Sequence, residues 1–396
     1  MTSKALLTIA ACAMGSAVAF AQSQPPRVPA TPYTAKSVQA PIDPGYGEFT
    51  KMCKTPPPAR GGGPGRGGPG GPGRAGGPAA PAAGVREYKV MEIPGVIAAG
   101  QQWKFLWQEV GNNGDGILWA KGGLLLAQND NSQVLKLDDK GKVSVAYRDT
   151  HTGGALSMSP KGALFMVQRG LHQNVTQLEP QRKILTDKYN GDPLDCVGGV
   201  INDLTADSKG GVYYSMGGVY HASASGVVTK YGENINPNGI VLSADEKTLY
   251  VTNGATMAAF DVQPDGSLKN QREFAKLTAG GGDGSTIDQA GRVYVTTQAG
   301  VEVLGPDGKN LGVIPTPRGV ITGAFGGKDK KTFYILARGA TDANGTEVPT
   351  RRRCGPSRCR RRATRGAQSR VTAQGSWLKL ERARLPPRPF AVRAPT

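Results

Sequence analysis

Between residues 87 and 348 the chain repeats one pattern of apolar and polar positions. Each unit has a small polar pair, an apolar strand, a turn with Asp or Lys beside Gly, and a second strand rich in Val, Tyr and Leu. The unit recurs six times at spacings of 36–49 residues, with equivalent positions at Ile117, Ala155, Leu204, Ile240, Ser285 and Ala324. This period is typical of a four-stranded propeller blade. The pattern therefore predicts an all-β fold, a six-bladed β-propeller over 87–348, with 87–93 as an outer strand that closes the last blade.

The segments before the repeat have a different composition. Residues 1–21 have a basic start, an apolar centre and an Ala-x-Ala exit, which predict a secretory signal peptide and a periplasmic or secreted location. The stretch Ile9–Cys12 leaves open a lipoprotein anchor as the alternative. Residues 22–86 are rich in Gly and Pro and predict a disordered linker. No other stretch is apolar over the length that a membrane span needs.

The segment 349–396 is rich in arginine and begins inside an unfinished repeat. Its Arg, Pro, Ala and Gly content is what a GC-rich coding sequence yields when it is read out of frame. We therefore predict a frameshifted or disordered tail, which would leave the sixth blade without its final strand. An arginine-rich arm for nucleic acid is the alternative interpretation.

The net charge of +18 is confined to the two flanking segments, because residues 87–348 carry a net charge of −2. The basic balance therefore does not indicate a nucleic-acid partner for the repeat region. The chain has five cysteines, and only Cys53 and Cys196 lie outside the leader and the tail. They permit one disulfide and exclude a disulfide-rich scaffold.

Four units carry an acidic or amide residue at one equivalent position, just before the innermost strand: Asp115, Asn202, Asn238 and Asp283. In a propeller these positions face the central channel. Two carboxylates and two amides suit one hard divalent cation, with Ca²⁺ the first candidate and Mg²⁺ or Zn²⁺ the alternatives. Asp-Gly and Asn-Gly are also common turn dipeptides, but the shared phase of the four acidic or amide residues favours a site.

The stretch 236–253 resembles the P-N-G-[LI]-x-[LF]-S-x-D-x-x-x-L-Y-V motif of the senescence-marker-protein, gluconolactonase and luciferin-regenerating-enzyme family. Segments 201–204, 282–284 and 325–327 extend the similarity. The resemblance implies a metal-dependent hydrolase of a lactone or related ester, with a small molecule as its substrate. It assigns Asn238, Asn202, Asp283 and Asp115 as metal ligands, and Asp283 also as general base or nucleophile.

The sequence departs from the family pattern at two single residues and at 214–216, which is Tyr-Ser-Met where many members have Phe-Thr-Asp. Asp115 stands where the family has Glu, and Val200 stands where lactonases often have Arg. The resemblance thus supports a metal site better than it supports sugar-lactone specificity. His151 is a candidate for substrate contact and proton transfer, whereas His172 is expected to be structural. A propeller that binds a ligand or protein partner without turnover is the alternative function, and a serine hydrolase is unsupported because no G-x-S-x-G occurs.

Overall fold

The computed structural model describes residues 38–57, 86–108 and 114–338, together with strands at 340–341, 347–348 and 375–381. The predicted signal peptide, much of the predicted linker and most of the arginine-rich tail lie outside the described residues. Within the described part, no helix is long and apolar enough to cross a membrane.

Five blades are each formed by four consecutive antiparallel strands that follow strand β1 (Lys104–Gln108). Blade 1 contains β2 (Gly114–Ala120), β3 (Gly123–Gln128), β4 (Gln133–Asp138) and β5 (Val143–Tyr147). Blade 2 contains β6 (Gly153–Met158), β7 (Leu164–Gln168), β8 (Asn174–Glu179) and β9 (Lys183–Thr186). A small hairpin of β10 (Lys188–Tyr189) and β11 (Asp192–Pro193) follows, and then a 3-10 turn, Leu194–Val197.

The next three blades continue in chain order. Blade 3 contains β12 (Leu204–Ala206), β13 (Val212–Ser215), β14 (Val219–Ala222) and β15 (Val228–Tyr231). Blade 4 contains β16 (Pro237–Leu242), β17 (Thr248–Asn253), β18 (Thr256–Val262) and β19 (Leu268–Lys276). Blade 5 contains β20 (Ser285–Ile287), β21 (Val293–Thr296), β22 (Gly300–Leu304) and β23 (Asn310–Pro315).

The core lies between neighbouring sheets. Leu125 and Val134 of blade 1, for example, are fully buried against Leu164 and Met166 of blade 2. The innermost strands β2, β6, β12, β16 and β20 contact one another in this order. Strand β24 (Val320–Gly326) contacts both β20 and β2, so that the strands close into a ring. The predicted all-β propeller architecture is confirmed, with five blades of consecutive strands in the described residues where the sequence predicted six.

The last four-stranded sheet is composite. Its strand order is β1, β28 (Gly375–Glu381), β25 (Thr332–Arg338) and β24. The prediction that 87–93 forms the closing outer strand is wrong, because β1 occupies that place. The chain turns back at Gly95, which has a φ of 71°, and the Ile93 N–H donates to the Ile97 carbonyl oxygen at 2.9 Å. Residues 87–93 therefore pack as a loop, with Val90 fully buried.

Strand β28 lies inside the segment that we assigned to the arginine-rich tail. Its seven residues pair with β25 along 332–338, and its other edge pairs with β1. We expected the tail to leave the last repeat without its final strand. Strand β28, which comes from that tail, lies in this position. A separate short pair, β26 (Ala340–Thr341) with β27 (Glu347–Val348), follows β25 in the chain.

Part of the predicted linker is folded against blade 2. We call residues 38–57 the strap. It contains two 3-10 turns and one short helix: Ala40–Ile42, Thr50–Met52 and α1 (Tyr46–Phe49). The disulfide that the sequence permits is present and joins Cys53 to Cys196 in the turn after β11. The strap is therefore covalently attached to the propeller.

Removing this disulfide is expected to lower the free energy of unfolding by about 2–5 kcal/mol, because it restores freedom to the unfolded chain. The bond joins residues 143 positions apart. Chemical denaturation of Cys53→Ser measures the effect, and the double variant with Cys196→Ser controls for the thiol that the single variant leaves. A double variant as stable as the wild-type protein would contradict a stabilising role for the bridge.

Candidate active site

The four residues predicted from the repeat lie together, at the start of the innermost strands or just before them. Asn202 donates a hydrogen bond from Nδ2 to Oδ1 of Asn238. Asn238 in turn donates from Nδ2 to Oδ1 of Asp283, at 2.7 Å. Asp115 joins them through an ion pair with Arg169, whose guanidinium also contacts Asn202. We call these five residues the mouth cluster.

A glycine follows three of the four residues, all but Asn202, and it marks a contact between blades rather than a turn. A Cβ atom on Gly239 would lie 2.3 Å from the carbonyl oxygen of Asp283, and one on Gly116 would lie 2.6 Å from Cα of Ala155. The Gly239 N–H donates to that Asp283 oxygen at 2.9 Å. The register of β16 also shifts between Pro237 and Ile240, and such a bulge redirects a side chain. The dipeptides therefore bring polar side chains of neighbouring blades into contact.

Arg169 is the member of the mouth cluster that the sequence did not single out. It follows β7 and is only 4% exposed. Its Nε donates to the Ile201 carbonyl oxygen at 3.0 Å, and its Nη2 donates to Oδ1 of Asn202 at 2.8 Å. Gly154 leaves the space, because a Cβ atom there would lie 2.3 Å from Cζ of Arg169. Blade 2 has Gly153-Gly154 at the position where four other units carry an acidic or amide residue. This glycine pair was the signal in the sequence that another side chain occupies the space.

Asp203 connects blade 3 to blade 4 beside the cluster. Its Oδ1 accepts from the N–H of Leu204 at 2.9 Å, and its Oδ2 accepts from the N–H of Ile240 at 3.0 Å. Burial raises the pKa of Asp203 to about 7, and the negative charge of Asp115 adds to the rise. A carboxyl group that titrates near neutral pH therefore lies within this part of the channel.

Arg338 ends β25 and brings a second cation to the mouth. Its Nη2 lies 3.6 Å from Oδ2 of Asp283, and its side chain is 44% exposed. Such an exposed pair contributes little to stability. Its exposure instead leaves the guanidinium accessible to a ligand beside Asp283.

His151 contributes to the site through its backbone. Its carbonyl oxygen accepts from the N–H groups of Arg169 and Gly170, at 3.1 and 2.9 Å. Burial lowers the pKa of the His151 imidazole, and the positive charge of Arg182 lowers it further. The predicted substrate contact of His151 stays a prediction. His172 packs edge-on against Phe49 of the strap, with ring centroids 4.7 Å apart.

The strap lies against the backbone that carries Arg169. The Ala40 N–H donates to the Arg169 carbonyl oxygen at 2.7 Å. Oγ1 of Thr152, in the loop before β6, donates to the Val38 carbonyl oxygen at 3.4 Å. The strap is thus part of the structure around the mouth cluster, although its sequence predicted only a linker.

Residues 113–338 match the SMP-30/Gluconolactonase/LRE-like region. The chain belongs to this family. The match confirms the resemblance seen in the sequence, and it covers the whole mouth cluster but not the strap. In the part of the chain that the structure describes, no group of three or more His, Cys, Asp or Glu residues is placed to hold a metal ion.

Several relatives share this family's lactonase names at modest identity. The chain is 25% identical to a gluconolactonase from Zymomonas mobilis over 225 residues, which cover 48% of this chain and 62% of that protein. It is 26% identical to lactonase drp35 from Staphylococcus saprophyticus over 241 residues, covering 53% of this chain and 73% of that protein. The chain thus spans about three fifths of the gluconolactonase.

Solved structures show the same fold. A gluconolactonase from Xanthomonas campestris superposes with a TM-score of 0.57 at 23% identity, covering 67% of this chain and 96% of that chain. The calcium-binding protein regucalcin from Agrobacterium tumefaciens gives a TM-score of 0.50 at 18% identity, covering 61% of this chain and 87% of that chain.

The variant Gly239→Ala tests the contact between blades. Its added Cβ would meet the Asp283 carbonyl oxygen at 2.3 Å, so we expect a loss of about 1–3 kcal/mol in the free energy of unfolding. Gly47→Ala is the matched control, because no atom lies within 4 Å of its added Cβ. Thermal melting compares the two variants, and equal melting temperatures would show that the blades do not meet at Gly239.

Proposed function

We propose that this protein hydrolyses lactones or related esters at the mouth cluster. The observation that carries the proposal is one hydrogen-bonded set of carboxylate, amide and guanidinium groups at the channel mouth. It lies within the region that matches a family whose named relatives include lactonases. We also infer that the composite sheet serves as the sixth blade. The contacts of β24 with β20 and β2 support this inference.

Asp283 is the general base in this proposal. Its carboxylate takes a proton from water, and the hydroxide attacks the acyl carbon of the substrate to form a tetrahedral intermediate. When the ring C–O bond breaks, the protonated Asp283 returns that proton to the leaving alkoxide. The product is a hydroxy acid, and the water proton is conserved within the step.

Arg338 is the group best placed to stabilise the negative charge that develops on the acyl oxygen. Its guanidinium is partly exposed beside Asp283, whereas the donors of Arg169 are engaged inside the cluster. A preorganised cation near a developing oxyanion lowers the barrier to acyl transfer. The amide of Asn238 fixes the orientation of the Asp283 carboxylate through its hydrogen bond.

The sequence predicts that Asp115, Asn202, Asn238 and Asp283 hold a divalent ion. In the structure, the arrangement of these residues does not fit that role. The amide oxygens of Asn202 and Asn238 already accept hydrogen bonds, and Asp115 is paired with Arg169. Hard cations need several free oxygen ligands directed at one point. No catalytic step is therefore derived through a metal, and metal dependence stays a prediction.

Asp283→Asn is expected to lower kcat for a lactone substrate by about 10²–10⁴-fold, the usual contribution of a general base. Acid release by the full chain, followed with a pH indicator over a panel of aldonolactones, aliphatic lactones and aryl esters, measures the rate. Asp261→Asn is the matched control, because Asp261 pairs with Arg272 on the outer part of blade 4.

A rate in Asp283→Asn equal to that of the wild-type protein would remove Asp283 from the mechanism. If the folded wild-type protein hydrolyses no member of the panel, the alternative holds, in which the propeller binds a ligand or partner without turnover.

We propose a periplasmic or secreted location, with cleavage after Ala21. The Cys53–Cys196 disulfide supports it, since such bonds persist in oxidising compartments. Expression with the native leader is expected to give a mature protein that begins at Gln22, as read by intact mass. A cytoplasmic protein that retains Met1 would contradict the proposal, and a lipid on Cys12 would favour the lipoprotein alternative.

A further inference from the structure

Arg169 is held as a built-in component of the channel mouth rather than as a surface cation. Its guanidinium meets acceptors from two other blades: the Asp115 carboxylate of blade 1 and the Ile201 and Asn202 oxygens that precede blade 3. The side chain is almost wholly buried, and Gly154 leaves it the space that a Cβ atom would fill. The Arg169 backbone is fixed on both sides, by His151 and by Ala40 of the strap.

The hydrogen bonds in the mouth cluster run in one direction from Arg169. Nη2 of Arg169 donates to Asn202 Oδ1, the Asn202 amide donates to Asn238, and the Asn238 amide donates to Asp283. A side-chain amide has one oxygen acceptor and one nitrogen donor. The guanidinium at the start of the chain and the carboxylate at its end therefore orient both amides.

Because the hydrogen bonds run in this direction, both amide oxygens are already engaged as acceptors and are not available as metal ligands. A cation in the channel would need Oδ1 of Asn202 and of Asn238, and both atoms accept N–H donors. It would also need the carboxylate of Asp115, which the buried Arg169 already neutralises. Bringing a divalent ion beside that guanidinium would add repulsion between two positive groups at short range.

We propose that Arg169 is the resident cation of this site, and that the mouth cluster assembles without a divalent ion and excludes one. Arg169 acts as a positioning residue, because it orients Asn202, Asn238 and Asp283 through their hydrogen bonds. The proposal concerns the cation and not the substrate, so it stands or falls separately from lactone hydrolysis.

Titration of the full chain with Ca²⁺, Mg²⁺ and Zn²⁺, each alone after treatment with EDTA, tests the proposal by calorimetry. We expect no saturable site in the wild-type protein up to 1 mM ion, in the range of weak extracellular Ca²⁺ modules, and no shift in melting temperature. Arg169→Gln removes the charge and frees the carboxylate of Asp115. It is expected to show a saturable Ca²⁺ site with a Kd at least about tenfold below that 1 mM limit, and a melting temperature that rises with Ca²⁺ concentration.

Arg182→Gln is the matched control, because it removes an exposed arginine that bonds backbone oxygens in the nearby loop 148–149. It should gain no affinity for Ca²⁺. Arg169→Lys keeps the positive charge and should still exclude the ion.

Two results would overturn the proposal. One is a saturable site for one divalent ion in the wild-type protein that is lost in Asn238→Ala. The other is a folded Arg169→Gln protein that gains no affinity. If Arg169→Gln does not fold, the comparison of the wild-type protein with Asn238→Ala decides the question by itself.

Discussion

The close approach of the innermost strands around the channel is the constraint on which the fold and the site both depend. The strands meet so tightly that glycine is needed at the contact, as at Gly239 against the Asp283 carbonyl oxygen. Two buried threonine hydroxyls donate to the carbonyl oxygens at these contacts, Thr252 to that of Asp283 and Thr296 to that of Ile321. Because the residue before the glycine belongs to the mouth cluster, the contact that joins two blades also brings a polar side chain to that cluster.

The sequence predicted the parts of the structure that repeat. The strands were visible through their Val, Tyr and Leu positions, and the polar mouth residues were visible because they share one phase. The closing strand was placed wrongly, since Tyr88 and Val90 lie two positions apart, as apolar residues do in a strand, but pack as part of a loop. The spacing of apolar residues indicates which positions are buried, but it does not distinguish a buried strand from a buried loop. The strap was also missed, because its contacts are made with distant residues.

Arg169 was missed for a different reason. The chain contains 48 lysine and arginine residues, and nothing in the local sequence distinguishes the one that is buried. Its role follows from a contact across blades and from the missing side chain at Gly154. A buried ion pair offers little net stability, since desolvation opposes the attraction. In this cluster its effect is on orientation, because it sets the direction of two amides that could otherwise point either way.

The composite sheet has a consequence for the order in which the protein forms during synthesis. Blades 1–5 are complete once residue 315 has left the ribosome, because each uses only consecutive strands. The ring must wait for β28, which inserts between β1 and β25 more than 250 residues after β1 was made. The edge of β1 stays unpaired in the nascent chain throughout this interval, and that of β25 stays unpaired from its own synthesis until β28 is made. Exposed strand edges invite pairing with other chains. Co-translational protection of this seam therefore matters more for the yield of native protein than protection of blades 1–5.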